Sequence, residues 1–399
     1  MTTQTSVRLS ICIPVYNFGP FVGQTLDSIL GQPGMDEAVE VLVVDGASTD
    51  NTEEVVGERV RRWPNLRYVK LTKRGGIDAD LAESVSLAKG EYCWLFSGDD
   101  LMREGALIKA LAWLDQGHDV YICKHSNCDR DMHVLNEHPV FRTDEVRVAE
   151  LGDGAQRLGY LTEGITSEAL FSFMSGLIIR REKWLSVESQ DQFMGSCWAH
   201  AARLLAAAQM QLRVCYVGEV WLDKRGDNDS FLDRGIVNRL RIAVDGYQGI
   251  AHQYFGKDSE ETAQVRRLLR NDLKLPVWMY ARRRTLDVPE LENRKELDRL
   301  MDACFSDPGL APWLTRNAYR YAPLTAYRIF AFLSRCPPAV PFGKGQGLSR
   351  AYVLATSFNL HRHTEPWGCS GADAGCAAGS SWAGSRNRGG GRCFDGQYG

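Results

Sequence analysis

The sequence contains no CxxC pair, no strong excess of either charge, no G-x-G-x-x-G fingerprint and no apolar run approaching the roughly 18 residues that cross a bilayer. Each absence excludes something. Eleven cysteines scattered without paired spacing fit free thiols in a reducing cytoplasm better than a disulfide framework. Cys123, Cys128, His133 and His138 follow one another in five-residue steps, which match no zinc-ligand spacing. Fifty acidic residues against 47 basic ones leave a net charge of -3, which argues against a general nucleic-acid binder. "MTTQTSVRLS" is polar, and "ICIPVYNFGPFVG" is too short and interrupted to serve as an export segment. That same stretch follows the first predicted strand without a glycine fingerprint, so a nucleotide-dependent oxidoreductase lacks its usual support.

What is present is an alternation of strands and helices. "VRLSICIPV" (7–15), "VEVLVVDG" (39–46), "LRYVKL" (66–71) and "EYCWLF" (91–96) read as strands. "FVGQTLDSIL", "NTEEVVGERVRRW" (51–63) and a stretch over about 77–89 read as the helices between them, with Pro20 suited to a first helical turn. Continuous apolar runs are what strands covered on both faces require. This order predicts an α/β fold, a mostly parallel sheet flanked by helices, with ligands bound beyond the carboxyl ends of its strands. Tyr16, Asp45, Thr72 and Ser97 to Asp100 stand at those ends, so Asp45 and Asp99 are expected in one crevice. Further strands are predicted at 119–126, 171–181 and 212–218, with a helix at 200–209. From about 231 the pattern becomes helical. Residues 368–399 are rich in Gly and Ser and too poor in core formers to offset ordering entropy, so disorder is expected there. The predicted organisation is a sheet domain over 1–230, a helical region over 231–342 and a low-complexity tail over 343–399.

"SICIPVYNFGPFVGQTLDSILGQ", "VEVLVVDGASTDNT" and "AKGEYCWLFSGDD" together resemble glycosyltransferase family 2, inverting sugar transferases of the GT-A fold, over roughly residues 8–230. "WLFSGDD", "GGIDAD", "GSCWAH" and "KRGDNDS" are most similar to the abequosyltransferase-like branch, which acts on nucleotide deoxysugars in O-antigen or capsule assembly. The resemblance implies a nucleotide-diphosphate sugar as donor and Mg²⁺ or Mn²⁺ as cofactor. Asp45 then accepts hydrogen bonds from the base or ribose, while Pro14 and Tyr16 shape the slot for the base. Asp80 stands near the base end, with a surface-helix role as its alternative. Asp99 is the implied metal ligand. Ser97 occupies the position where the family carries its first acidic residue and is left to bond ribose or water, and Asp100 is read as structural. Arg225 is the implied cation beside the diphosphate, with a surface salt bridge as the alternative. The family's Glu-Asp pair is missing from "SQDQFMGSCWAH", which leaves Asp191 or His200 as the general base. Ser175 and Gly176 fall near the implied acceptor.

The acceptor expected from the resemblance is a glycan, lipid-linked on a polyprenyl carrier where it belongs to O-antigen or capsule assembly. "WLTRNAYRYAPLTAYRIFAFLSR" (313–335) mixes aromatics with Arg316, Arg320, Arg328 and Arg335, and "WMYARRR" (278–284) adds positive charge. Such a segment suits peripheral contact with the inner face of a cytoplasmic membrane, or helix packing within a homodimer or against the catalytic domain. A noncatalytic sugar-nucleotide or glycan-binding protein on the same sheet is the alternative to an enzyme.

Overall fold

A computed structural model describes residues 7–188, 191–228, 234–323 and 326. Residues 327–335 of the basic aromatic segment, and the tail from 343, lie outside the described residues.

Ten strands form one mixed sheet among the described residues: β1 Leu9–Val15, β2 Val39–Asp45, β3 Leu66–Lys70, β4 Tyr92–Leu95, β5 Leu101–Met102, β6 Val120–Cys128, β7 Val134–Glu137, β8 Arg147–Glu150, β9 Leu177–Arg180 and β10 Arg213–Lys224. Their order is β3-β2-β1-β4-β9-β6-β10-β5, with β7 beside β6 and β8 beside β10. The half containing β3, β2, β1 and β4 is parallel throughout. β9 lies antiparallel between β4 and β6, so the strict alternation predicted from the sequence ends there.

Every residue of β1 and β2 is buried, because both faces of the sheet are covered. Ile11, Ile13, Val41 and Val43 pack with Val22, Leu26 and Ile29 of the helix Gly19–Leu30 on one face. Cys12, Leu42 and Val44 pack with Leu81 and Val85 of the helix Ile77–Leu87 on the other. This is the two-residue period of a strand expressed in two separate apolar cores. Pro14 sits opposite Val44, past the last β1–β4 pair at Cys12 and Leu95, where its missing N–H costs the ladder least.

Two predicted strands change. The 171–181 segment becomes a turn through Phe171 at φ 67°, a short 3₁₀ turn Met174–Gly176 and only then β9. The 212–218 strand continues to Lys224 as β10, because Gly218 at φ 76° carries the chain through an irregularity in its pairing with β6. Helices Ile236–Phe255, Glu260–Asp272, Leu275–Asp287 and Arg294–Cys304 share their apolar core with the sheet face that Leu42 and Val44 occupy. The arginines at 282 and 283 are engaged within the chain: Arg282 donates to the Ala322 carbonyl at 3.0 Å and Arg283 to Asp287. The helix Leu310–Tyr321 leaves Leu310, Trp313, Leu314 and Tyr321 exposed. No described helix is long and apolar enough to cross a membrane.

Candidate active site

The ends of β1 and β2 build one side of the crevice. Gly46 N–H donates to the Val15 carbonyl at 2.9 Å and Leu71 N–H to the Asp45 carbonyl at 2.8 Å, which ties three loops together where Asp45 ends its strand. The Asp45 carboxylate is fully buried, and each of its oxygens has a donor: Ser48 N–H at 2.7 Å and the Tyr68 hydroxyl at 2.5 Å. Burial, and then the bond to Asp45, hold the Tyr68 hydroxyl far from ionising. Tyr16 follows β1, half-buried, with the Arg74 guanidinium 3.9 Å above its ring.

Asp80, in the first turn of the helix Ile77–Leu87, completes this side. It is buried, and its Oδ1 has no hydrogen-bond partner. A Cβ at Gly46 would lie 2.3 Å from its Oδ2 and one at Gly75 would lie 2.7 Å from its Oδ1, so glycine at both places is what lets the carboxylate stand there. Burial raises the Asp80 carboxyl above its ordinary value; the backbone amides of Gly75 and Gly76 and the Arg74 charge oppose the rise, and the Asp45 charge adds to it. Tyr16, Arg74, Asp45 and Asp80 thus gather an aromatic ring, a cation and two buried carboxylates at the ends of β1 and β2.

The second cluster lies past β4. The Ser97 hydroxyl donates to Asp99 Oδ1, and Asn228 Nδ2 donates to Oδ2 at 2.7 Å. Asp100 is buried beneath it, accepting from the Ser175 hydroxyl at 2.6 Å and from Arg225 N–H at 3.0 Å. Burial first, and then the Asp99 charge, push the Asp100 carboxyl up to about 7. Arg225 is itself buried. Its Nε donates to the Asp99 carbonyl at 2.9 Å, one terminal nitrogen to the Arg130 carbonyl at 2.5 Å and the other to Gln24 Oε1 at 2.7 Å. Arg225 is thus enclosed rather than solvent-facing, and it makes no salt bridge among the described residues. Three of its five N–H groups fasten the Asp99 loop to its surroundings, and among the described residues one hydrogen on each terminal nitrogen has no acceptor. Ser175 links the two sides of this cluster, because its Oγ accepts from Ser97 N–H at 2.9 Å.

The two candidate bases sit in different surroundings. His200 is buried in the first turn of the helix Ala199–Ala208 and donates from Nε2 to the Phe171 carbonyl at 2.8 Å. Burial depresses its pKa, against the pull of that bond. Asp191 is exposed, in the short turn Asp191–Phe193. Between them the structure adds a residue that the sequence reading passed over. Asp78 is buried and accepts from Gly195 N–H at 2.8 Å, Cys197 N–H at 2.9 Å and Ala199 N–H at 3.1 Å. It places a carboxylate on the unpaired amides that open the helix Ala199–Ala208, fastening the loop around 195–199 to the helix that carries Asp80. The only hint in the sequence is the pair Asp78 and Asp80 in one helical turn.

Residues 10–172 match the family described as glycosyl transferase family 2. Abequosyltransferase RfbV of Salmonella typhimurium is 28% identical over 280 residues, covering 68% of this chain and 82% of that protein. Among solved structures, residues 1–349 of S. aureus TarS superimpose with a TM-score of 0.51 at 16% identity, covering 81% of this chain and 90% of that one. The same TarS fragment in complex with UDP-GlcNAc gives 0.50 at 17% identity, covering 78% and 91%. At such identities the likeness concerns the fold, which is the GT-A arrangement of a sheet flanked by helices. The matched segment contains β1, β2 and β4 with Asp45, Asp80 and Asp99 at or beyond their carboxyl ends, so residues 10–172 form a domain of the glycosyl transferase family 2 type.

Proposed function

We propose that this glycosyltransferase moves a deoxyhexose, or a related sugar, from a nucleotide-diphosphate donor to a glycan, with inversion at the anomeric carbon. The observation that carries this reading is the pairing of two polar clusters at neighbouring strand ends. β2 and β4 flank β1, so Asp45 and the Asp99 loop stand about two strand spacings apart, roughly 10 Å. That span suits a nucleoside at one end and its diphosphate at the other. Asp45 and the open acceptor of Asp80 take N–H or O–H donors of base and ribose, while Tyr16 and Arg74 cover the base.

Asp99 and Ser97 offer hard oxygen atoms, a fit for Mg²⁺ or Mn²⁺ that takes further oxygens from the donor's phosphates. A cation bound there would offset the charge that develops on the departing diphosphate. Ser97 supplies a hydroxyl where a second carboxylate would hold the ion more strongly, so the donor itself must complete the site. Arg225 keeps the Asp99 loop in place, and its charge and remaining in-plane hydrogens favour a phosphate oxygen that approaches the edge of the guanidinium. For the general base we assign Asp191 over His200. An exposed carboxylate can meet an acceptor hydroxyl, whereas the imidazole is enclosed and made less basic by burial.

The similarity to an abequosyltransferase across most of both chains supports a deoxyhexose donor and a lipid-linked O-antigen or capsule intermediate as acceptor. The exposed Leu310, Trp313 and Leu314 support peripheral contact with an anionic membrane surface, where such an acceptor is found. Flotation with anionic vesicles should recover the parental chain better than a Trp313→Ser, Leu314→Ser variant; equal recovery would remove this contact. The donor reading is tested by thermal shift with CDP-, dTDP-, UDP- and GDP-sugars, with and without Mn²⁺, followed by turnover with the best of them. A shift for one donor class that grows with Mn²⁺ is expected, and no shift with any of the four contradicts the reading.

A further inference from the structure

A second cluster of chemistry-bearing groups lies among residues that the strand-end site does not use. His125 is fully buried on β6, His138 follows β7 and is buried, and Glu168 is buried in the short turn Ser167–Leu170. The two imidazoles stack with centroids 4.8 Å apart and planes 14° from parallel, and Phe173 closes the far side of His125 at 4.3 Å. Glu168 faces both rings: Oε2 lies 3.4 Å from His125 Nδ1, and Oε1 lies 3.3 Å from His138 Nε2. Both nitrogens are buried, and neither makes a well-aligned hydrogen bond among the described residues. One ligand atom from each of the three residues falls within 4.8 Å of the others.

We propose that His125 Nδ1, His138 Nε2 and the Glu168 carboxylate bind a divalent transition cation of the zinc type. An ion held by nitrogen and oxygen at about 2.0–2.1 Å in a tetrahedron has ligand atoms about 3.3–3.4 Å apart; one Glu168 oxygen lies at that distance from each ring, and the full set, one atom from each residue, spans no more than 4.8 Å, so small side-chain rotations close it around an ion. A carboxylate buried against two imidazoles is costly to keep away from water, and a divalent cation shared by the three groups offsets its charge. Two imidazoles and one carboxylate also form a donor set suited to zinc that leaves a fourth position open. His138 and Glu168 line a cavity of about 90 Å³, together with Ser172, Lys224 and Asp272, so a water or a ligand oxygen has access to the ion.

The outer contacts show what binding changes. His125 Nε2 lies 3.3 Å from Asn127 Oδ1, which fixes that ring with its proton on Nε2 and a lone pair on Nδ1. Asn127 Nδ2 lies 3.4 Å from His138 Nδ1 and 2.8 Å from Asn136 Oδ1. For His138 to ligate through Nε2, its proton moves to Nδ1 and Asn127 gives up the longer contact while keeping Asn136. Lys224 is the nearby like charge, its ammonium 5.0 Å from the Phe173 ring centre, and Asp272 lines the same cavity with its carboxyl pushed up to about 7 by burial.

The test uses the full chain, free of any affinity tag and stripped of metal by chelator. Co²⁺ titration should produce the visible absorption of a four-coordinate site at one equivalent, and Zn²⁺ should displace it. Glu168→Gln and His138→Asn should each weaken Zn²⁺ binding by at least ~100-fold while circular dichroism stays parental. Asp99→Asn should leave the absorption unchanged. Absence of a four-coordinate signal in the parental chain would overturn the assignment. So would an equal signal in the His138→Asn variant, which would place the ion on cysteines elsewhere, and so would its loss in Asp99→Asn. If a ligand variant fails to fold, Asn127→Asp provides the second reading: a carboxylate behind both rings should tighten Zn²⁺ binding, and an unchanged affinity counts against the site.

Discussion

Replacing Asp45 by Asn keeps the shape of the side chain and removes its charge, so it isolates what the carboxylate does. In the parental chain the two oxygens accept from Ser48 N–H at 2.7 Å and the Tyr68 hydroxyl at 2.5 Å. Asn can keep its oxygen on Ser48 N–H, and its amide hydrogens then face Tyr68, whose hydroxyl must turn to accept. Hydrogen bonds to a charged group contribute about 1.5–3 kcal/mol and neutral ones about 0.5–1.5. The variant should therefore lose about 1–3 kcal/mol of folding stability and still fold. A nucleoside N–H or O–H meeting a neutral acceptor in place of an ionised one should bind about 1.4 kcal/mol more weakly, a roughly tenfold rise in Kd. Calorimetric titration with the nucleoside diphosphate of the preferred donor reads this directly, with circular dichroism to confirm the fold. Tyr68→Phe serves as the control, because it leaves the charge and removes one competing partner; its Kd should stay close to parental. A folded Asp45→Asn variant with unchanged Kd would refute the reasoning. Equal losses in the two variants would assign Asp45 to scaffolding alone.

Asp99→Ala should abolish turnover and the Mn²⁺-dependent part of donor binding while leaving the fold intact; near-parental activity would remove the metal role. Single-turnover rates at saturating donor should fall by at least ~100-fold in Asp191→Asn and by less in His200→Asn, and the reverse order would move the base to His200. Asp307 accepts from Arg266 at 2.7 Å and is also bonded to Arg270, bonds that hold its carboxyl below the ordinary range although burial pushes it up. Its contribution is present above the unfolded carboxylate pKa and is lost as pH falls through the lower folded value. Asp307→Asn should therefore cost about 1.5–3 kcal/mol in urea unfolding at neutral pH and far less under acid conditions; a cost that does not change with pH would contradict the charge argument.

The parallel half of the sheet was legible because covering both faces demands continuous apolar runs, and β1 and β2 have them. Asp45 and Asp99 were legible for the same reason, since a carboxylate ending such a run must face a crevice or a cap. The 171–181 segment misled because apolar residues there serve two turns and a short strand, a distinction set by the positive φ at Phe171 and by the bonds of Ser175. Gly218 read as the end of a strand that in fact continues past it. Asp78 and the grouping of His125, His138 and Glu168 depend on contacts between distant segments, which no local spacing encodes. Arg225 illustrates the opposite limit: its type and loop suggested a phosphate ligand, while three of its donors hold protein oxygens.

The most direct measurement is a crystal structure of the chain soaked with its preferred nucleotide-diphosphate sugar and Mn²⁺. The account predicts base and ribose within hydrogen-bond reach of Asp45 and Asp80, beside Tyr16, with the diphosphate and the ion at Asp99. A donor seated away from these carboxylates, or a diphosphate that meets neither Asp99 nor an ion there, would contradict it.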